Sequence, residues 1–91
     1  MKIIKLKEEE RTLLFYCVQA HRPKLLQKIS QLEKGLLSND TVNEIRGAVT
    51  DELTDRGFKS DWEPNEYGIK LENLIDKLGN FIITSRPNNK L

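Results

Sequence analysis

Apolar residues along this chain recur chiefly at spacings of three and four, the period of an α-helix. Leu13, Tyr16, Cys17 and Ala20, with Leu14, Val18 and His21 on the adjoining strip, predict a first helix from Glu8 to His21. Glu8, Glu9 and Glu10 fall in its first turn and complement the positive end of the helix dipole. Pro23 cannot donate an intrahelical hydrogen bond and disfavours helix in the residue before it, so Arg22-Pro23 breaks or kinks the chain. Leu25, Leu26, Ile29 and Leu32 then predict a second helix running to Lys34, with Gly35 placed to end it in a left-handed conformation. One long kinked helix is the alternative to that break.

Ser38 or Asn39 caps a third helix, whose stripe Val42, Ile45, Val49 and Leu53 steps by three and four until Gly57 ends it. Phe58 follows, where a contact back to the last turn is common. Gly47 and Ala48 are small enough to let another helix approach closely. Residues 59–66 are polar and read as a loop, with Pro64 suited to a first helical position and Asn65 to a cap. Tyr67, Leu71, Leu74, Ile75 and Leu78 form the last stripe, and Gly79-Asn80 is a stop signal. Beyond it, Phe81-Ile82-Ile83-Thr84 has the β-branched character of a short strand, with Lys2 to Leu6 as its partner, and Arg86 to Leu91 reads as a frayed tail.

These elements predict an all-α fold, a single small bundle of about four helices over residues 1–80. Residues 81–91 form a C-terminal extension, either a strand of a short terminal pair or a tail. A 91-residue chain has room for one core. It buries only about two-thirds of its unfolded surface, so burial against a partner or a second copy would add stability.

Apolar residues are 37% and charged residues 32% of the chain, a balance that suits neither disorder nor a membrane protein. The longest apolar runs, Leu13 to Val18 and Phe81 to Ile83, fall well short of the roughly 20 residues that span a bilayer. The N-terminus starts basic, but Glu8-Glu9-Glu10 interrupts it before an apolar signal segment can form, which points to the cytoplasm. One cysteine, Cys17, offers no internal disulfide. The net charge of +1 conceals a division. Residues 1–34 carry eight Lys/Arg and four Glu, for +4, while residues 35–78 carry five Lys/Arg and ten Asp/Glu, for −5. An acidic middle repels nucleic acid and attracts basic proteins.

Parts for catalysis are scarce. His21 is placed to interact with the carbonyls at the end of the first helix, and Cys17 sits among apolar neighbours as a buried inert thiol. Neither has a ligand partner, the five glycines form no phosphate loop, and no nucleophile, base and oxyanion donor assemble. The chain reads as a non-enzyme without cofactor or metal. Asp61, Glu63, Asn65, Tyr67 and Glu72 match the ligand spacing of a calcium loop, but Glu66 stands where its sharp turn needs glycine. The carboxylate groups Asp51-Glu52-Asp55 and Asp61-Glu63-Glu66 read first as solvated acidic surface. A helix-turn-helix reader of DNA would present Glu44, Asp51, Glu52, Asp55, Glu72 and Asp76 to phosphate, which argues against direct nucleic-acid binding. Arg22, Lys24, Lys28 and Lys34 are the candidate basic patch.

The loop Lys59 to Gly68 has the stronger claim on function. Trp62 and Tyr67 are anchor residues for a protein contact, and Asp61, Glu63 and Glu66 are acceptors for lysine or arginine across an interface. Alternatively Trp62 folds back over the core and Asn65 merely caps the last helix.

Asn43-Glu44-Ile45-Arg46, Asp51-Glu52-Leu53, Gly57-Phe58, Asp61-Trp62-Glu63-Pro64-Asn65-Glu66-Tyr67-Gly68 and Leu71-Glu72-Asn73-Leu74-Ile75-Asp76 resemble small bacterial immunity proteins of the MafI type, which accompany polymorphic toxins. The likeness covers about residues 40–78, and its most specific part is Glu63 to Gly68. It implies a cytoplasmic antidote that binds a cognate toxin domain, often a nuclease. A nuclease must be basic to hold phosphate, so Asp51, Asp55, Asp61, Glu63, Glu66 and Asp76 would stand in for nucleic acid beside Trp62 and Tyr67. The rival expectation is a self-associating structural or regulatory helical protein, a homodimer joined through the Gly47-Ala48 face.

Overall fold

A computed structural model describes the backbone of residues 4–85 and the side chains of residues 4–82. The fold is a small all-α bundle. Helix α1 spans Glu8–His21, a 3₁₀ segment spans Pro23–Lys28, α2 is the single turn Ile29–Leu32, α3 spans Asn39–Arg56, and α4 spans Glu66–Ser85. Among the described residues, no helix is long and apolar enough to cross a membrane.

Helix α1 occupies the predicted residues, but its buried strip is Leu14, Cys17 and Val18. Of the expected stripe, Leu13 is half-buried while Tyr16 and Ala20 are exposed. The helix closes at Arg22, whose amide reaches the Val18 carbonyl. Pro23 then begins tighter 3₁₀ winding instead of a full α-helix, and only Ile29 to Leu32 recover α geometry before Gly35 turns left-handed at φ 72°. Glycine tolerates that conformation because it lacks a Cβ.

Ser38 caps α3 by accepting a hydrogen bond from the Thr41 amide, and Val42, Ile45, Ala48 and Val49 face the core. Ala48 is buried, and Gly47 lies under the guanidinium of Arg22, so this small-residue face is already covered within the chain.

Helix α4 does not stop at Gly79-Asn80 but continues to Ser85. Leu71, Leu74, Leu78 and Ile82 are spaced by three, four and four on one buried face, so burial carries the helix through residues whose local preference is for strand. Gly79 is a packing position: a Cβ there would stand 3.1 Å from the Nε of Arg46, which lies across α4 and donates to the Ile75 carbonyl. The expected strand at residues 81–84 is therefore helical. Of its proposed partner, Lys2 and Ile3 lie outside the described residues. Residues 4–7 belong to no helix or strand, with Ile4 and Leu6 buried and Lys5 and Lys7 exposed. Glu33 holds this segment by accepting from the Leu6 amide and pairing with Arg11, whose guanidinium also donates to the Leu6 carbonyl. The predicted tail, Arg86 to Leu91, also lies outside the described residues.

Candidate functional site

The α3–α4 corner is fixed by a close approach of two glycines. A Cβ on Gly68 would collide with the Gly57 carbonyl oxygen, and one on Gly57 would stand 2.7 Å from the Leu53 carbonyl oxygen. Asn65 bonds across this junction in three ways. Its amide donates to the Gly57 carbonyl, its side-chain NH₂ donates to the Arg56 carbonyl, and its side-chain oxygen accepts from the Gly68 amide at 2.6 Å. The last bond is the expected cap of α4, while Pro64 lies outside the helix in an isolated antiparallel bridge with Phe58.

Between these anchors the chain makes a tight hairpin. The Trp62 amide donates to the Lys59 carbonyl, the Lys59 amide to the Glu63 carbonyl, and Asp61 Oδ1 accepts from the Glu63 amide. Trp62 sits at φ 69°, the left-handed position that glycine normally fills in such a turn. Left-handed backbone costs a residue with a Cβ about 1–2 kcal/mol. The indole makes a tilted contact with Phe58, centroids 6.2 Å apart, and the residue remains 78% exposed. It does not fold back over the core.

The predicted site residues divide into two groups. Asp55, Asp61, Trp62, Glu63, Glu66 and Tyr67 are gathered at this corner, from the last turn of α3 to the first of α4. Asp55, Asp61, Glu63 and Glu66 are exposed, and none of them has a cation within ion-pairing distance among the described residues. Asp51 instead faces Arg22 at 3.4 Å, toward the far end of α1. Asp76 is exposed but lies about 15 Å along α4 from Glu66, by the helical rise of about 1.5 Å per residue.

Glu52 departs from the solvated acidic surface expected of it. It is 1% exposed, accepting from the Tyr67 hydroxyl at 2.6 Å and lying 2.7 Å from His21 Nε2. Burial pushes its carboxyl upward in pKa, but the bonds from Tyr67 and His21, with the nearby Arg56 charge, outweigh burial and hold it below the ordinary value. Burial and the same carboxylate raise the Tyr67 phenol, so the proton stays on the tyrosine. His21 is thus engaged by a side chain of α3, where sequence reasoning assigned it to the carbonyls of its own helix. Burial, with the Glu52 charge second, pushes the Cys17 thiol up to about 12.

Above this network lies an open groove of about 640 Å³, walled by Leu13 and Tyr16 of α1 and by Tyr67 of α4. Glu52 lies at its base, and Glu9, Thr12, Arg56 and Lys70 stand around it. Sequence reasoning did not single out Arg56, Lys70 or Thr12. Leu13 and Tyr16 belong to the apolar spacing that predicts α1, which does not by itself show that they wall a cleft. Glu52 did carry a signal, since Val42, Ile45, Val49 and Glu52 continue the helical stripe through a charged residue. Among the described residues, no group of three or more His, Cys, Asp or Glu side chains is placed to hold a metal ion.

No family model, curated protein or solved structure matches the chain.

Proposed function

We propose that this chain is an immunity protein of the MafI type, acting in the cytoplasm without catalysis or cofactor, which neutralises a cognate toxin by covering the toxin's basic, phosphate-binding surface. One observation carries the reading: a tryptophan stands 78% exposed, in backbone geometry that favours glycine, beside carboxylates that have no ion-pairing cation among the described residues. Local stability does not account for that arrangement. The strained backbone is a cost, and the tilted contact with Phe58 recovers only about 0.5–1.5 kcal/mol. Binding does account for it, because an aromatic ring covered by a partner is the kind of residue that dominates interface energies. The surrounding negative charge draws a basic partner into encounter and orients it. The sequence likeness over residues 63–68 falls on this same corner.

Titration of the purified protein into the nuclease assay of the toxin domain encoded beside it tests the proposal. Cleavage is expected to fall to background near equimolar ratio. Undiminished cleavage in excess protein rejects the proposal.

A further inference from the structure

We infer that the groove between α1 and the α3–α4 corner is a second half of the binding surface, and that it receives from the partner an apolar or aromatic side chain with a carboxylate beside it. The inference rests on the immunity reading and adds to it the chemistry of the partner's anchor. Arg56 and Tyr67, which line the groove, immediately bound the acidic loop on its two sides, so groove and loop adjoin at the α3–α4 corner.

The walls set the first requirement. Leu13 is half-buried, Tyr16 is 42% exposed, and the Tyr67 hydroxyl is held by its bond to Glu52. Among the described residues, none fills the volume of about 640 Å³ that they enclose. A cleft of this size gains from admitting one large apolar side chain, since burial removes apolar surface from water on both partners.

The rim sets the second requirement. Arg56 and Lys70 are exposed on the α3 and α4 side, and neither has a carboxylate within ion-pairing distance among the described residues. The Arg56 guanidinium donates to the Tyr16 hydroxyl, at 3.2 Å. Glu52 is nearby but already serves His21 and Tyr67, and Glu9 stands on the opposite, α1 wall. Among the described residues Lys70 has no ion-pair partner and Arg56 only the charge of Glu52 nearby, so both are open to an anion from outside. The face as a whole is bipolar, negative at the loop and positive at the adjoining rim, so a partner carrying both charges in the matching order docks in one orientation.

Calorimetric titration of the full chain with the neighbouring toxin domain separates this inference from the reading it rests on. Thr12 is exposed and beside the groove, so Thr12→Trp fills the cleft without entering the core. It is expected to weaken binding about 10-fold or more, and Lys70→Glu and Arg56→Ala about 10-fold each, the scale of interface anchors and charge pairs. Circular dichroism and thermal midpoint should stay at wild-type values for Thr12→Trp and Lys70→Glu. If these variants bind like wild type while Asp61→Asn with Glu63→Gln weakens binding, the groove proposal is overturned and the immunity reading stands. Tighter binding by Lys70→Glu means that the partner brings a cation there, and overturns the carboxylate. Failure of the wild-type protein to bind removes the immunity reading and the groove proposal with it.

Discussion

Replacing Tyr67 by Phe removes one hydroxyl from the floor of the groove and leaves the ring, and the consequence follows from the state of Glu52. That carboxylate is 1% exposed and holds two partners, so loss of the 2.6 Å bond leaves one of its oxygens without a protein donor. A hydrogen bond to a charged group contributes about 1.5–3 kcal/mol. Entry of water from the groove above moderates the loss, and about 2 kcal/mol is expected. Urea unfolding at pH 7 should show a midpoint lower by about 1–2 M, for a slope of about 1–2 kcal/mol per M. The thermal midpoint should fall by about 8–16 °C at this chain length. The pH dependence has a definite sign. The folded pKa of Glu52 lies below its ordinary value of 4.5, so its contribution is fully present above that value and is lost as pH falls through the folded pKa. The gap between wild type and Tyr67→Phe should therefore narrow on acidification, toward the roughly 1 kcal/mol of a neutral hydrogen bond. A variant within about 0.5 kcal/mol of wild type at neutral pH, or a gap unchanged from neutral to acid, would refute the role assigned to this network.

Three further outcomes are expected. Gly68→Ala drives a methyl group into the Gly57 carbonyl and should destabilise the fold by about 2–3 kcal/mol, read as a lowered thermal midpoint; an unchanged midpoint would mean that the glycine approach is not as close as described. Trp62→Gly relieves left-handed backbone at the cost of one ring contact, so unfolding free energy should stay within about 1 kcal/mol of wild type while toxin affinity falls at least about 10-fold. A Trp62→Gly protein that unfolds easily would instead place the indole's role in the fold. Cys17, fully buried and with its thiol pushed up to about 12, should react with Ellman's reagent at neutral pH only as fast as the protein opens; immediate labelling of folded protein would contradict its placement.

The helices were legible because each one that buries a face says so in its spacing. The stripe of α3 and its Ser38 cap, the first residue of α1 and the left-handed stop at Gly35 all follow from local rules. What local rules misjudged was decided by contacts distant in sequence. Gly79-Asn80 carries a stop signal, yet Ile82 continues a buried stripe set three turns earlier, and Arg46 occupies the space a side chain at position 79 would need. On α1 the apolar residues outnumber what one face can bury, so periodicity could not distinguish the strip that meets α3 from the strip that walls a groove. The loop was legible as a contact site from its interleaved acids and aromatics. That Trp62 points to water, and that Asp51 is turned toward Arg22, depends on the hairpin and on the placement of α1 against α3.

Because Trp62 is the protein's single tryptophan, labelling it with 5-fluorotryptophan gives one ¹⁹F resonance that reports directly on the proposed anchor. In the free protein this resonance should show the solvent-isotope shift of a water-exposed indole. Adding one equivalent of the neighbouring toxin domain should move it to a second position without that shift, in step with the loss of nuclease activity. A toxin that is inhibited while the resonance keeps both its position and its isotope shift would show that the interface lies elsewhere on the molecule.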